Sequence, residues 1–233
     1  MLKLKGALIF AITMLLISAC SNKSEITPPL LIQTSIETDS TVIWMGKTYH
    51  KVKIGSQIWL KENLDVGKMI PSTVNQSNNR IIEKYYYNND SVHYAYLGAF
   101  YQWNEAMNYG LTPGERGISP QGYHIPTSTD IDVLLAFVGN NTNALKALGE
   151  GAGDGAGNNS SGYTLYLTGG FYGGQGFSGL GQAAHYWTSS EYDAQSALEF
   201  SVWAFDSFPI RGDSLRNDKI KGAFSIRCIK DNR

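Results

Sequence analysis

The densest chemistry in the chain lies in HYWTSSEYD, residues 185–193. A histidine, three hydroxyl residues (Thr188, Ser189, Ser190), two carboxylates and three aromatics fill nine positions. A serine nucleophile needs a base within hydrogen-bond reach and an acid behind it. His185, Ser189, Ser190 and Glu191 have the right types for acyl transfer. Their spacing argues against it, because a strand sends neighbours to opposite faces. No catalytic residue is assigned. The stretch suits two other tasks. It can close a core, with Tyr186 and Trp187 filling core and rim and Ser189 to Asp193 forming a tight turn. It can also rim a ligand site. The chain is 12% aromatic, and sugars have apolar CH faces and hydroxyl edges that suit aromatic platforms beside polar groups. On that reading Tyr172, Trp187, Glu191, Asp193 and Trp203 are the candidate ligand-binding residues.

Metal and cofactor chemistry finds little support. The four histidines are His50, His93, His124 and His185, and none forms a zinc-type pair. The glycine-rich run GEGAGDGAGNNSSG begins at Gly149. A phosphate loop would place such glycines between a strand and a helix and follow them with Lys-Ser or Lys-Thr, which this run lacks. A calcium loop needs several carboxylates at alternating positions, and only Asp154 is available. The run reads as a surface loop, and no metal or cofactor is expected.

The N-terminus carries a different chemistry. MLKLKGALIFAITMLLISAC has a short basic start and an apolar run too short for a comfortable membrane span, the layout of a secretory signal. Ile17-Ser18-Ala19-Cys20 resembles the bacterial lipobox. That resemblance implies cleavage before Cys20 and lipidation of its sulfur, hence a membrane anchor. Residues 1–19 are then the signal peptide. Residues 20–40, with Pro28-Pro29 and many Ser and Thr, read as a flexible tether, and 41–233 as the folded domain. The expected location is the cell envelope, lipid-anchored, at the outer membrane. Without the signal the chain has 17 basic and 20 acidic residues, net −3, and no basic run, so nucleic acid is not an expected partner. Once Cys20 is acylated, Cys228 is the only thiol left. In FSIRCIKD it falls on the inward face of a closing strand, as an inert buried thiol.

The elements that would position these residues form an α+β pattern. Short β-branched and aromatic runs from Thr41 to Leu64, with turns at Met45-Gly46 and Gly55-Ser56, read as antiparallel strands. Asn88-Asn89-Asp90 reads as a turn. Tyr96 to Asn108 has apolar residues at helical spacing and is expected to be the first helix. Thr127, with Asp130 three residues on and Gly139 at the end, brackets the second. Tyr163–Leu167, Tyr186–Ser189, Leu198–Phe205 and Ala223–Ile229 are the expected later strands. One compact domain follows, with two helices, small antiparallel sheets and long C-terminal loops.

Seven landmarks in order, KVKIGSQIWLKENL, YYYNND, YLGAFYQWNEAM, SPQGYHIPTSTDIDVLLAFVG, NNSSGYTL, HYWTSSEYD and FSIRCIKD, resemble the Fibrobacter succinogenes major paralogous domain family. The resemblance implies an exported or lipid-anchored protein with a C-type-lectin-like α+β fold whose first and last strands pair. It also implies a cysteine just before the Pro-x-Gly-aromatic-His motif, able to partner the one near the C-terminus. This chain has Ser119 there. Formylglycine-generating chemistry, which needs a cysteine pair, and the lectin calcium signatures do not carry over. The expected function is a non-catalytic module that binds a glycan or a cell-surface protein. The alternative is a structural or assembly subunit of a surface complex.

Overall fold

The computed structural model describes residues 34–209 and 216–232. Cys20 and residues 1–33 lie outside them. The first described strands form an antiparallel meander: β1 (Ile36–Glu37), β2 (Thr41–Trp44), β3 (Lys47–Ile54) and β4 (Gln57–Leu60). The two-residue turns Met45-Gly46 and Gly55-Ser56 connect β2 to β3 and β3 to β4, as their turn chemistry predicts. Ile36 and Glu37, read as tether, are already sheet.

The next segments are short. β5 (Lys68–Met69) and β6 (Glu83–Lys84) make a parallel pair. Asn88 and Asn89 take positive φ in the predicted turn, and Asp90 caps α1 (Ser91–Tyr94) by accepting from the amides of Val92 and His93. The helix expected over Tyr96–Asn108 does not form. Its place is taken by a 3-10 turn at Ala95–Leu97, β7 (Phe100–Gln102) and the one-turn α2 (Trp103–Ala106). Gly98 causes the break. Its φ is +85°, and a Cβ there would lie 2.5 Å from that of Asn63. The helical spacing of apolar residues reflects burial on both sides of an extended segment, since Ala99, Phe100, Tyr101 and Trp103 are all inside.

β8 (Tyr123–His124) leads into α3 (Ser128–Phe137), where Thr127 and Asp130 form the predicted capping box. His124 braces this cap, with Nε2 3.3 Å from Asp130 and Nδ1 2.7 Å from Asp231. The strand expected at Tyr163–Leu167 is reduced to one bridge, Lys146 to Leu165, because Thr164 has φ +59° and breaks the ladder. The remaining strands are β9 (Thr168–Tyr172), β10 (Gly176–Leu180), β11 (Ala183–Glu191), β12 (Ser196–Trp203), β13 (Arg216–Asp218), β14 (Gly222–Ser225) and β15 (Ile229–Lys230).

Two larger sheets result. One runs β1-β2-β3-β4-β15-β8; the other runs β10-β9-β14-β11-β12-β13, with β7 also on β14. The second is mixed rather than wholly antiparallel, since β11 runs parallel to both β14 and β9. The expected closing strand Ala223–Ile229 is therefore two strands, one in each sheet. Residues 226–228 cross between them, with Leu64 N donating to Ile226 O and Leu60 N to Cys228 O. The expected alternation fails here. Ser225, Arg227 and Ile229 are as buried as Phe224, Ile226 and Cys228, because the segment has protein on both sides. The last strand does join the N-terminal meander, but its partners are β4 and β8 rather than β1. Among the described residues no helix is long and apolar enough to cross a membrane.

Glu37 links β1 to the last strand through its side chain. Its Oε1 accepts from Lys230 Nζ at 2.6 Å, Lys51 Nζ at 2.9 Å and the Tyr123 hydroxyl at 3.1 Å. Burial pushes its pKa up, but the two lysines and the tyrosine outweigh that and lower it from 4.5 to about 2. A depressed carboxyl stabilises the fold above its unfolded pKa and loses that contribution as pH falls through the folded one. Urea melts between pH 6 and pH 2.5 should therefore show a shallower acid-side loss in Glu37→Gln than in the wild type. Identical slopes would refute this.

Candidate functional site

β11 and β12 form the hairpin that carries most of the candidate residues. Ala183 pairs with Trp203, His185 with Ser201 and Trp187 with Glu199. Alternation then puts His185, Trp187, Glu199, Ser201 and Trp203 on one face. Trp187 is 0% exposed, its ring 4.6 Å from that of Phe224 and its Nε1 donating to Tyr101 O at 2.9 Å. It is a core residue and presents no platform to a ligand. Glu191 and Asp193 lie at the turn end of the hairpin. Glu191 pairs with the buried Lys219. Asp193 Oδ1 accepts from the amides of Gln195 and Ser196 and from the Ser196 hydroxyl, which closes the turn. Trp203 sits at the other end, about eight residues along at roughly 3.3 Å each, or about 25 Å away. The five candidates therefore do not form one site.

Two of them share a neighbour. Tyr172 and Trp203 flank His185, both edge-on, with ring centroids 5.7 and 6.0 Å from the imidazole. Tyr172 is half-buried and Trp203 is 38% exposed. Behind them lies a cluster that sequence spacing does not reveal. Glu199 Oε1 is 3.0 Å from His185 Nδ1, and Ser201 Oγ is 2.8 Å from the same nitrogen. Ser201 also donates to Glu199 Oε1 at 2.9 Å. The residue types are those of a catalytic relay, but the geometry is not. A relay places acid and nucleophile on opposite ring nitrogens, and here both share Nδ1. The other carboxylate oxygen, Glu199 Oε2, is buried without a hydrogen-bond partner. HYW opposite LEFSVW in a hairpin was the available signal, legible only once the register is known.

From Trp203 onward the chain turns sharply and shows three aromatics to solvent, Trp203 among them. Phe205 is 64% exposed and Phe208 71%. This loop is fixed from below. Lys146 is fully buried, and its ammonium donates to the carbonyls of Trp203 at 3.0 Å and Asp206 at 2.9 Å. Burial lowers its pKa. Thr142 N donates to Ser207 O at 2.7 Å and Ala152 N to Ala204 O at 2.9 Å. The glycine-rich run, read as a plain surface loop, is the support under this turn. A Cβ on Gly155 would lie 2.2 Å from Ala204 O, so only glycine allows the two backbones to touch.

A cleft of about 300 Å³ lies between α3 and the hairpin, floored by Ile131, Leu198 and Phe200. Of its polar lining, Ser128 pairs with Ser190 Oγ, and Thr188 Oγ1 donates to Leu198 O. Ser189 likewise braces a loop, accepting from Gly114 N at 2.9 Å. The cleft holds the helix to the sheet. Among the described residues no three His, Cys, Asp or Glu side chains gather as metal ligands.

Cys228 is buried, and burial pushes its thiol pKa up to about 12. Its Sγ donates to Ser119 Oγ at 3.0 Å. The serine therefore lies against the cysteine at the position where the family resemblance implies a partner thiol.

A family model described as the Fibrobacter succinogenes major domain matches residues 52–230. Neither a curated protein nor a solved structure matches the chain. The family match begins within β3 and ends at β15, so it takes in Lys146, the aromatic turn and the Ser119–Cys228 contact. With more than half of its 233 residues matched, the chain belongs to the Fibrobacter succinogenes major domain family.

Proposed function

We propose that this is a lipid-anchored cell-envelope protein, held at the outer membrane through Cys20, whose domain binds a glycan without chemically altering it. The observation that carries the reading is the Trp203–Phe208 turn. Three large aromatics face solvent there, on a backbone fixed by a buried lysine. Exposed apolar clusters of this kind mark interaction sites, and a loop already ordered loses less entropy on binding. Trp203 offers a face for sugar CH groups, and Asp206 and Ser207 offer hydrogen bonds at the edge. The non-catalytic reading is supported by His185, which shares one nitrogen between Ser201 and Glu199 inside the protein. A C-type-lectin-like architecture is supported by the last strand beside the N-terminal meander and by long loops packed over the second sheet.

A surface-complex subunit is the second reading. It is favoured by Phe205 and Phe208, which offer no hydrogen bond to a sugar. Binding to arrayed polysaccharides decides between them. Trp203→Ala and Phe205→Ala should each weaken glycan binding at least tenfold while the melting temperature stays within about 2 °C. Trp187→Ala should instead destabilise by about 3–5 kcal/mol through the cavity it leaves. If no glycan is retained and crosslinking from membranes captures a protein that Phe208→Ala releases, the glycan reading is wrong and the assembly reading stands.

A further inference from the structure

A second concavity, of about 190 Å³, lies far from the aromatic turn, beside the closed end of the β11–β12 hairpin. Its walls are almost wholly hydrogen-bonding side chains. Gln76 and Gln102 hold one side together: each backbone N–H donates to the other's side-chain oxygen, at 2.8 and 2.7 Å. Gln102 Nε2 then reaches Asn75 Oδ1 at 3.1 Å and Ile220 O. On the other side Glu105 is only 3% exposed. Its Oε1 accepts from Glu83 N at 2.8 Å and its Oε2 from the Tyr109 hydroxyl at 2.8 Å.

The unengaged groups define what could enter. Lys219 also lines the cleft, but its ammonium donates to Glu191, to Asp193 O at 2.9 Å and to Ala194 O at 3.4 Å, above the Trp103 ring. No proton of it is left for an anion, and Glu105 and Glu83 would repel one. A metal ion is disfavoured because, among the described residues, Glu105 is the one carboxylate that lines the cleft, with no His or Cys beside it. What remains is neutral. The Asn104 side chain makes no hydrogen bond among the described residues, nor does Asn75 Nδ2. Each Glu105 oxygen keeps a lone pair, and the Tyr109 hydroxyl can still accept. Ile220, half exposed, forms an apolar lip.

We infer that this cleft is a binding site for a single neutral sugar ring, whose hydroxyls meet Asn75, Asn104 and Glu105 and whose CH face rests on Ile220. The ligand's class rests on the glycan reading above; the position does not, since the cleft shares no residue with the aromatic turn. A glycan long enough to reach both places would gain effective concentration at the second. It would bind more tightly than a short one.

The test is a side-chain amide NMR titration of the full chain in detergent with methyl glucoside, N-acetylglucosamine and glucuronate. A neutral sugar should shift the Asn75 and Asn104 amide signals. Asn104→Ala, which removes a side chain with no hydrogen bond to lose among the described residues, should weaken that binding about tenfold, the loss of a hydrogen bond or two. Trp203→Ala should leave it unchanged. Failure of every neutral sugar to shift these amides, a response to glucuronate alone, or equal binding by Asn104→Ala would overturn the inference. If polysaccharide is still retained through Trp203 in that case, the proposed function survives it. If the cleft binds while no polysaccharide depends on Trp203, the reverse holds.

Discussion

Arg227→Met is expected to lower the melting temperature by roughly 6–12 °C. Arg227 is wholly buried in the segment that crosses between the two large sheets. Its Nε and Nη2 donate to Asn63 Oδ1 at 3.0 and 2.6 Å, and Nη1 donates to Tyr163 O at 2.5 Å. The guanidinium lies 4.4 Å over the Tyr163 ring and 5.7 Å from that of Tyr186. Among the described residues no carboxylate pairs with it, so two effects compete. Burying the charge costs several kcal/mol, and an apolar residue of similar volume would remove that cost. Against this, methionine strands two buried acceptors at about 1–3 kcal/mol each and loses the cation–ring contact, about 2 kcal/mol when desolvated. At mid-range the second group, about 6 kcal/mol, outweighs a relief of desolvation of about 3 kcal/mol, for a net loss of about 3 kcal/mol. In a domain of this size each kcal/mol moves the melting temperature by about 2–4 °C. Arg227→Lys should also lose stability, because a point charge cannot span two acceptors as the fork does. Thermal melts of both variants check this, and a methionine variant as stable as wild type would mean that desolvation dominates.

The opposite sign is expected for Ser119→Cys. Its hydroxyl already touches the Cys228 thiol, in a dry site joining the Arg116–Tyr123 turns to the crossing segment. A disulfide here would close a loop on the order of 100 residues, for which chain entropy alone predicts about 4.7 kcal/mol; introduced bridges deliver less, about 2–4 kcal/mol. The oxidised variant should melt roughly 5–10 °C higher. Reductant should abolish the gain, returning it close to wild type. Intact-mass measurement should show the loss of two hydrogens. A variant that keeps two free thiols after folding in air would refute the geometry.

Local chemistry was readable wherever it acts over a few residues. The Met45-Gly46 and Gly55-Ser56 turns, the Asn88–Asp90 turn and the Thr127–Asp130 capping box all form, because each depends on neighbours in sequence. Long-range packing was not readable. YLGAFYQWNEAM has helical spacing, yet one glycine pressed against Asn63 and pairing of Phe100 with Tyr85 and Ser225 pull it into a strand. FSIRCIKD alternates like an edge, yet both its faces are inside. The aromatic turn shows the same limit. Trp203 stood out by type, but Phe205 and Phe208 matter through exposure, and Lys146 through carbonyls nearly 60 residues away. Composition could flag the glycine run but not what leans on it.

The place of β15 sets a condition on how the molecule can mature. It is the strand between β4 and β8, so the first sheet has a gap until Ile229 and Lys230 arrive. A nascent chain cannot close that gap before β15 emerges, however long it waits. Everything from β1 through β15 must be delivered before the structure can lock. Removing the chain from Ile229 onward should therefore leave an open intermediate for quality-control proteases.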